Sequence, residues 1–480
     1  MPECPPASAR TLATGPCSGA TDRVVGVPDL SSLIKAYDVR GVVPDQWDEN
    51  VSRAIGAAFA EFVVADSGAT TVVTAHDMRE SSIPLARAFA EGVLARGVDV
   101  VEAGLGSTDL LYYAAGSLDM PGAMFTASHN PAQYNGIKLC RAGAAPIGQD
   151  SGLTTIREWA ERDSYDRKPG RIGTVRSQDV LAGYAAYLHS LVDLSGIRPL
   201  KVVVDAGNGM GGHTVPVVLA GLPLEVVPLY FELDGSFPNH EANPLDPANL
   251  VDLQAAVREH GADIGLAFDG DADRVFVVDE TGEPVSPSAV TALVAVRELA
   301  KGRGTTIIHN LITSKAVPEI VREHGGQPVR TRVGHSFIKA EMARTDAVFG
   351  GEHSAHYYFR DFWRADTGML AAMHVLAALG EQGRPLSQLT AAYSRYSASG
   401  EINSTVADAP ARMAEVREAF DGKDGVTLDE MDGLTVELPD GAWFNLRASN
   451  TEPLLRLNVE APEPARMTEI RDRILGMVRA

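Results

Sequence analysis

Hydrophobic and polar positions follow a layout that repeats three times along this chain. In each copy, an apolar segment rich in β-branched residues predicts a buried strand, and a polar loop with a helical pattern follows it. The first strands are predicted at 70–75, 201–205 and 305–309, and helices at 83–96 and 314–323. The copies start roughly 130 and 100 residues apart, too irregularly for a solenoid, so we interpret them as duplicated domains with insertions.

Each copy continues with two further predicted strands in the same order. The second strands are predicted at 98–102, 224–229 and 328–331, and the third strands at 122–125, 264–268 and 347–349. A loop of chemically reactive residues follows each third strand. Alternating strands and helices predict mainly parallel α/β sheets, whose ligand loops lie beyond the carboxyl ends of the strands. One cleft could therefore receive a loop from each domain.

The C-terminal part of the chain has a different pattern. Residues 433–438 and 443–446 alternate like strands around a Pro-Asp-Gly turn, and a third strand at 454–460 precedes a helix at 464–478. The fold predicted from these patterns is α/β, with three similar domains of mixed, mainly parallel sheets and a C-terminal α+β domain. The predicted limits are a disordered leader at 1–24 and domains at 25–178, 179–281, 282–398 and 399–480.

Composition excludes several partners. At 480 residues the chain is too long for one core, and its 45% apolar and 22% charged residues are typical of a globular protein. A formal net charge of -21 argues against nucleic acid and against an anionic membrane surface, because both require a basic face. An anionic small substrate would need local positive charge.

Cysteine usage and hydropathy indicate the compartment. The three cysteines, Cys4, Cys17 and Cys140, provide neither a disulfide framework nor a paired zinc-ligand spacing. No apolar run has the length of a membrane span, and the N-terminus lacks the hydrophobic core of a signal peptide. We therefore expect a cytoplasmic protein.

In the first copy, the loop that follows the third strand, residues 126–131, combines Ser128 with His129. A serine hydroxyl is a weak nucleophile unless a partner activates it. The Gly-x-Ser-x-Gly elbow of α/β-hydrolases is missing, since Thr126 and Asn130 occupy its glycine positions, and this disfavours acyl transfer. A phosphorylated Ser128 would instead be a phosphoryl carrier, although serine, histidine and asparagine are also ordinary turn residues.

In the second copy, the loop that follows the third strand carries Asp269, Asp271 and Asp273 at alternate positions. Carboxylates this close repel one another unless a cation lies among them, and hard oxygen ligands favour Mg²⁺ or Ca²⁺ over zinc. The longer spacing of an EF-hand is missing, which favours Mg²⁺; an ordinary Asp-rich turn is the alternative. Phosphoryl transfer requires charge neutralisation, which Mg²⁺, Arg274 and Lys138 could supply.

Two further loops contain polar groups suited to a sugar phosphate. Glu352 and Ser354 could hydrogen-bond sugar hydroxyls, and His353 or His356 could move a proton, although a histidine at a strand end is often structural. A turn near the C-terminus offers a fork of phosphate donors, or an arginine that braces a hairpin. These donors are Arg447, Ser449, Asn450 and Thr451.

At these four loops the sequence resembles the α-D-phosphohexomutase family, most closely its phosphomannomutase/phosphoglucomutase branch. Matching segments run from residues 35–41 to residues 447–451, so the resemblance covers nearly the whole chain. The family fold implied is four domains around a central cleft. The resemblance implies that Ser128 is the phosphoserine and that Asp269, Asp271 and Asp273 bind one Mg²⁺ together with a phosphoserine oxygen.

The resemblance also implies roles for the surrounding side chains. Arg274, Arg40, His129 and Lys138 would attend the transferring phosphate, with Lys138 or His356 as general acid or base. His335, Glu352 and Ser354 would contact the sugar, and Tyr37 would help to bind it; for His335 and Tyr37, core packing is the alternative. The nonreacting phosphate would be held by Arg447, Ser449, Asn450 and Thr451.

The reaction implied is interconversion of mannose 6-phosphate and mannose 1-phosphate through a hexose 1,6-bisphosphate intermediate. Glucose phosphates and glucosamine phosphates are rival substrates, and an Asp-nucleophile phosphatase or a non-catalytic sugar-phosphate-binding protein are further alternatives. Some relatives carry a sugar-contacting lysine where this chain has residues 310–313; either Lys315 replaces it or the contact is absent. We expect a monomer or homodimer.

Overall fold

The computed structural model describes residues 29–34, 37–162, 164–448 and 454–480. The predicted leader at 1–24 lies outside the described residues. So do three of the predicted phosphate ligands, Ser449, Asn450 and Thr451.

The first domain is built on a mixed sheet in the order β1-β5-β4-β2-β3-β6. Strand β4 pairs in parallel with β2 and antiparallel with β5. The strands are β1 (Val39–Val42), β2 (Thr71–His76), β3 (Asp99–Leu105), β4 (Gly122–Phe125), β5 (Tyr134–Cys140) and β6 (Val175–Ser177). The helices are α1 (Glu49–Ser67), α2 (Ser82–Ala95), α3 (Thr108–Ser117) and α4 (Leu153–Arg162).

The second domain has a sheet in the order β11-β10-β9-β7-β8. Strand β7 is parallel to both of its neighbours, and β9 pairs antiparallel with β10. The strands are β7 (Leu200–Asp205), β8 (Leu224–Leu229), β9 (Ile264–Phe268), β10 (Val275–Asp279) and β11 (Pro284–Val285). The helices are α5 (Leu181–Leu191), α6 (Gly211–Val218) and α7 (Val251–His260).

The third domain has a sheet in the order β13-β12-β14-β15-β16. Strand β12 is parallel to its neighbours, and β14 pairs antiparallel with β15. The strands are β12 (Thr306–Asn310), β13 (Gln327–Thr331), β14 (Phe349–Gly351), β15 (Tyr357–Phe359) and β16 (Ala365–Asp366). The helices are α8 (Pro287–Lys301), α9 (Ala316–Glu323), α10 (His335–Thr345), α11 (Gly368–Gly380) and α12 (Leu386–Ala391).

The three domains therefore share the order of four strands, which is β5-β4-β2-β3 in the first, β10-β9-β7-β8 in the second and β15-β14-β12-β13 in the third. The prediction of three similar α/β domains with mixed sheets is confirmed. In each domain the third strand turns back through a hairpin, and the reactive loop is the loop of that hairpin. Strand β14 starts two residues later than predicted and includes Gly350 and Gly351. Glycine is a poor strand former, but pairing with β12 and β15 overrides that preference.

The fourth domain has an antiparallel sheet in the order β17-β21-β20-β19-β18, covered by two helices. Its predicted last helix has the same limits as α14. The edge strands β17 and β18 and helix α13 were not predicted. The elements are β17 (Ser397–Thr405), α13 (Ala409–Phe420), β18 (Thr427–Asp429), β19 (Leu434–Glu437), β20 (Trp443–Ala448), β21 (Leu454–Ala461) and α14 (Pro464–Val478). The predicted domain limits after residues 178, 281 and 398 stay predictions.

Packing distinguishes the fourth domain from the others. One continuous cluster of buried apolar side chains runs through the first three domains, whereas the fourth domain has a cluster of its own. Within the first domain, α1 and α2 pack at backbone contact, because a Cβ at Gly56 would lie 2.1 Å from the Phe89 carbonyl oxygen. Among the described residues, no helix combines the length and apolar character needed to span a bilayer.

Candidate active site

Three hairpin loops, one from each α/β domain, converge on one cleft. They connect β4 to β5, β9 to β10 and β14 to β15. Ser128 of the first loop donates a hydrogen bond to Asp269 of the second, and Arg274 of the second forms a β-bridge with His356 of the third. The structure thus brings together reactive residues that lie far apart in the sequence.

The Ser128 hydroxyl points at the acidic loop. Its Oγ donates to Asp269 Oδ2 at 2.8 Å and lies 3.2 Å from His129 Nδ1. Ser128 has a φ of 49°, a left-handed conformation that is uncommon for a residue with a side chain. A Cβ at Gly270 would lie 2.3 Å from the Ser128 carbonyl oxygen, so the two loops meet at backbone contact. Strained backbone of this kind is concentrated at functional sites.

The three predicted aspartate ligands form a buried cluster. One carboxylate oxygen from each of Asp269, Asp271 and Asp273 lies within 4.8 Å of the others. Burial, although opposed by the charge of Arg274, raises the pKa of Asp269 to about 7. Oδ1 of Asp271 and Oδ1 of Asp273 are buried and accept no hydrogen bond from the described residues. Unsatisfied buried oxygens are unfavourable, and a bound cation would satisfy both, so the cluster could hold a metal ion.

Two cations border the aspartate cluster. Lys138 Nζ donates to Asp271 Oδ2 at 2.7 Å and to Asp273 Oδ2 at 2.6 Å. Burial alone would lower the pKa of Lys138, but these carboxylates raise it well above its usual value. Arg274 donates through Nε to Asp269 Oδ2 at 2.9 Å. Positive charge therefore surrounds the position that an anion on Ser128 would occupy.

His129 is held as a neutral ring. Its Nδ1 accepts a hydrogen bond from Arg274 Nη2 at 2.6 Å. Burial, together with the charges of Arg274 and Arg40, lowers the pKa of His129 well below its usual value. A neutral ring that accepts at Nδ1 carries its proton on Nε2. Arg40 itself donates to the Ala127 carbonyl at 3.2 Å, next to Ser128.

His356 belongs to a buried charge network. Its Nδ1 lies 2.9 Å from Asp366 Oδ2, which leaves Nε2 as the nitrogen available to the cleft. Burial alone would lower the pKa of His356, but Asp273 and Asp366 raise it. Lys339 Nζ lies 2.7 Å from the other oxygen of Asp366. Asp366 and Lys339 were not predicted from the sequence; the one local signal is the place of Lys339 four residues after His335, on the same face of α10.

A cavity of about 750 Å³ lies in front of the loops, a size that suits small-molecule ligands. Tyr37 and His335 close one side, with their ring centroids 4.8 Å apart. Burial, with the charge of Lys339, lowers the pKa of His335 to about 3, so this ring is neutral. The predicted site residues that line the cavity are Tyr37, Arg40, Ser128, His129, Lys138, Asp273, Arg274, His335 and His356.

The third loop divides its side chains between the cleft and the protein interior. Glu352 is buried and accepts hydrogen bonds from Asn310 Nδ2, at 3.1 Å, and from the Tyr358 hydroxyl. Ser354 Oγ donates to Glu352 Oε2 at 3.5 Å, at the long limit of a hydrogen bond. His353 lies 3.4 Å from Ser288 Oγ and lines a separate cavity between the third and fourth domains. Of the two candidate proton carriers, His356 is therefore the one that lines the cleft.

The predicted phosphate fork can be described only through Arg447. Its Nη2 lies 3.8 Å from Glu401 Oε2, and its Nε is buried without a hydrogen-bond partner among the described residues. A buried guanidinium nitrogen without a partner is unfavourable, and an anion bound beside this arginine would satisfy it.

Lys315 binds the fourth domain. Its backbone N–H donates to Glu460 Oε1 at 2.9 Å, and its Nζ donates to Glu437 Oε2 at 3.2 Å. Its side chain borders a cavity with Glu437 and Trp443, separate from the cleft that Ser128 lines. The side chain of Asn310, in the segment where some relatives carry a lysine, is bonded to Glu352.

Comparison with known protein families covers almost the whole chain. Models of the phosphoglucomutase/phosphomannomutase family match in order: α/β/α domain I at residues 31–166, domain II at 182–282, domain III at 286–396 and the C-terminal domain at 401–477.

Individual relatives agree with the family match. A protein of Xanthomonas campestris named as phosphohexose mutases is 42% identical over 440 residues, which is 91% of this chain and 96% of the relative. A phosphomannomutase of Escherichia coli is 40% identical over 93% of this chain and 99% of its own. The crystal structure of a phosphoglucomutase/phosphomannomutase family protein from Burkholderia thailandensis is 34% identical, has a TM-score of 0.84, and aligns over 93% of this chain and 98% of its own.

Proposed function

This chain belongs to the phosphoglucomutase/phosphomannomutase family, and from that premise we propose that it is a phosphomannomutase, which interconverts mannose 6-phosphate and mannose 1-phosphate. The observation that carries the proposal is the Ser128 hydroxyl, 2.8 Å from Asp269 and bordered by Lys138 and Arg274. Relatives about 40% identical over most of the chain are named phosphomannomutase, which supports mannose as the sugar. Glucose phosphates are proposed as additional substrates.

In the proposed reaction, phosphorylated Ser128 gives its phosphoryl group to a free hydroxyl of a hexose monophosphate. The Oγ–P bond of Ser128 breaks and Oγ takes up a proton from a general acid, while a P–O bond to the sugar forms and the sugar hydroxyl loses its proton to a base. The hexose 1,6-bisphosphate then turns over in the cleft. Its other phosphoryl group returns to Ser128 Oγ, which gives its proton back to the acid, and the base returns its proton to the sugar oxygen that this group leaves.

We propose Mg²⁺ as the cation that Asp269, Asp271 and Asp273 would hold with an oxygen of phosphorylated Ser128. The two unpartnered carboxylate oxygens and the hard donor set fit this ion. When bound, Mg²⁺ would neutralise negative charge on the transferring phosphoryl group.

The proton and charge roles divide among the other residues of the cleft. His356, with Nε2 free and Nδ1 at Asp366, suits proton exchange with the sugar hydroxyl. Lys138, whose raised pKa keeps it protonated, suits the supply of positive charge to the transferring phosphate. A general acid or base role for Lys138 is the alternative to His356. Arg274, Arg40 and His129 would orient the transferring phosphate.

Substrate binding is proposed to use the wall opposite the loops, the third loop and the fourth domain. Tyr37 and His335 of that wall would contact the sugar, as would Ser354 of the third loop and Glu352, which Asn310 and Tyr358 hold behind it. The nonreacting phosphate, which is alternately the 1- and the 6-phosphate, would be held by Arg447, Ser449, Asn450 and Thr451. We further propose a cytoplasmic enzyme that is a monomer or a homodimer.

A coupled assay tests the assignment. Mannose 1-phosphate, glucose 1-phosphate and glucosamine 1-phosphate are supplied separately with a trace of the matching bisphosphate and Mg²⁺. The proposal predicts the highest kcat/KM with mannose 1-phosphate and phosphate on Ser128 by mass spectrometry. Preference for glucosamine 1-phosphate would overturn the sugar assignment, and activity without modification of Ser128 would overturn the mechanism.

A further inference from the structure

The loop that carries Ser128 is bound by one buried arginine to which the proposed mechanism assigns no role. Arg79 lies in the middle of the first-domain segment 77–81, between β2 and α2, and is 2% exposed. Its Nη1 donates to the carbonyls of Pro131, at 2.9 Å, and Tyr134, at 3.1 Å. Its Nη2 donates to the carbonyls of Ser128, at 2.9 Å, and Asn130, at 2.7 Å.

The fifth donor of the same guanidinium is also satisfied. Arg79 Nε donates to Asp77 Oδ2 at 3.2 Å, and Asp77 Oδ1 accepts from the Ser82 hydroxyl at 2.6 Å. A guanidinium has five N–H donors in a fixed plane, so the four loop carbonyls are held at positions set by one rigid group. The side chain is anchored at its base by Asp77 and cannot easily follow a moving loop.

The second domain covers this contact from outside. The Phe237 ring centroid lies 5.0 Å from Arg79 Cζ, a distance that suits a cation–π interaction. A Cβ at Gly235 would lie 2.8 Å from Arg79 Cα, so the cover is in backbone contact. The Arg79 contact therefore ties the serine loop to the domain that supplies the three aspartates.

The backbone of Ser128 explains why such a clamp is needed. A residue with φ of 49° relaxes to a negative φ unless its surroundings hold it, and relaxation would move Oγ away from Asp269. Arg79 binds the carbonyl of Ser128 itself, those of Asn130 and Pro131 in the loop, and that of Tyr134 at the start of β5. It touches the backbone of the loop and leaves the hydroxyl free.

We propose that Arg79 is a positioning residue that fixes the Ser128 loop for phosphoryl transfer through its four backbone carbonyls. This inference rests on the proposed role of Ser128 as the phosphoryl carrier. A displacement of about 1 Å in a reacting group can lower a rate by roughly a hundredfold. Removing the clamp should thus lower kcat while hexose phosphate binding, which uses other residues, stays nearly unchanged.

The test uses Arg79→Lys in the full chain, because an ammonium keeps the charge for Asp77 but offers only three donors and no fixed plane. The expected result is a fall in kcat of about a hundredfold, with KM for mannose 1-phosphate within about threefold of wild type. The matched control is Arg96→Lys in the same domain, whose guanidinium binds Glu61 Oε1 at 2.6 Å. The control should keep kcat within about twofold of wild type.

A second variant separates positioning from general loss of structure. Arg79→Ala should lose activity, and millimolar guanidinium chloride should restore part of kcat because the ion can occupy the vacated site. The same salt should not raise the kcat of wild type or of Arg96→Ala. If neither Arg79 variant folds, Phe237→Leu removes only the half-exposed ring over the guanidinium, and it should lower kcat more than it changes KM.

A folded Arg79→Lys enzyme with a kcat within threefold of Arg96→Lys would overturn the positioning role. So would an unchanged kcat in Phe237→Leu when both Arg79 variants are unfolded. Failure of the underlying mechanism is distinguishable, because wild type would then carry no phosphate on Ser128.

Discussion

Lys339 Nζ and Asp366 Oδ1 lie 2.7 Å apart, and both side chains are almost completely buried. The other oxygen of Asp366 faces His356, so one carboxylate connects a buried lysine to a histidine of the cleft. Nearby charges, chiefly Lys339, hold the pKa of Asp366 well below its usual value although burial opposes them. The negative charge that orients His356 thus depends on a lysine behind it.

Replacing Lys339 with methionine should leave a buried carboxylate without its counterion. We expect the free energy of unfolding to fall by about 3 kcal/mol, as for other broken buried ion pairs. Urea unfolding of the variant and of wild type measures this loss of unfolding free energy. The matched control is Lys201→Met, which removes a pair with Glu225 in which the lysine is 33% and the glutamate 68% exposed, and should cost less than about 1 kcal/mol. Equal losses in the two variants would contradict the importance of burial.

Ser128→Ala should reduce turnover to less than about a thousandth of wild type, because the covalent phosphoryl carrier is lost. The change removes one oxygen from a packed loop, so thermal unfolding should shift little. Ser177→Ala, an exposed serine of β6, is the control and should keep full activity. Turnover of mannose 1-phosphate near the wild-type rate in Ser128→Ala would exclude the phosphoserine mechanism.

The parts of the site that could be predicted from sequence are those that follow a strand directly. Ser128, Asp269 and His356 all lie in hairpin loops whose preceding strands have a clear apolar pattern. The roles of Arg79 and Lys339 could not be found in this way, because they depend on partners that lie 49 to 55 and 27 residues away and that no sequence pattern identifies.

The missed elements of the fourth domain have a related cause. Strand β17 runs from Ser397 to Thr405 with mostly half-exposed or exposed residues, and a register shift interrupts its pairing with β21. An edge strand of this kind lacks the alternation that sequence analysis detects. The sequence cannot decide whether Lys315 replaces the sugar-contacting lysine of some relatives, because only the packed domains show that Lys315 binds Glu460.

Asp271→Asn should weaken Mg²⁺ binding at least tenfold. Asparagine keeps the shape of aspartate but removes the negative charge that a hard cation requires. Isothermal titration of the unphosphorylated protein with MgCl₂ measures the effect without reference to activity. Asp246→Asn, at an exposed turn of the same domain, is the control and should bind as wild type does. Equal affinity for Mg²⁺ in the Asp271 variant would show that the ion binds elsewhere.

Stability should depend on pH through His240, which lies outside the cleft with Nε2 3.0 Å from the buried Asp205. Burial alone would lower the pKa of His240, but Asp205 raises it above its ordinary value of 6.5. The contact between His240 and Asp205 therefore stabilises the folded protein fully below pH 6.5. This stabilisation is lost as the pH rises through the pKa of His240 in the folded state. The difference in unfolding free energy between wild type and His240→Gln should shrink between pH 6 and pH 8.

His213 provides a control of opposite sign. Burial lowers its pKa, so the folded state favours the neutral ring and the contribution of His213 declines as pH falls. The difference between wild type and His213→Gln should thus grow over the same pH interval. If the difference in unfolding free energy changed with pH in the same direction for the His240 and His213 variants, the assigned directions of the two pKa shifts would be contradicted.

Arg447→Ala should mainly weaken binding of the hexose phosphate. A charge-assisted hydrogen bond contributes about 1.5–3 kcal/mol, so KM for mannose 1-phosphate should rise roughly ten- to a hundredfold. The buried Nε of Arg447, which has no hydrogen-bond partner among the described residues, is the group that the phosphate would satisfy.

The neighbouring strand offers the matched control. Arg456 lies opposite Arg447 in the β20–β21 ladder and binds the other oxygen of the same Glu401. Both substitutions release Glu401 from one arginine, so loss of the carboxylate contact affects the two variants alike. A large rise in KM for Arg447→Ala, with little change for Arg456→Ala, therefore reports phosphate binding. A similar rise in both would indicate that the arginine pair acts by supporting the hairpin.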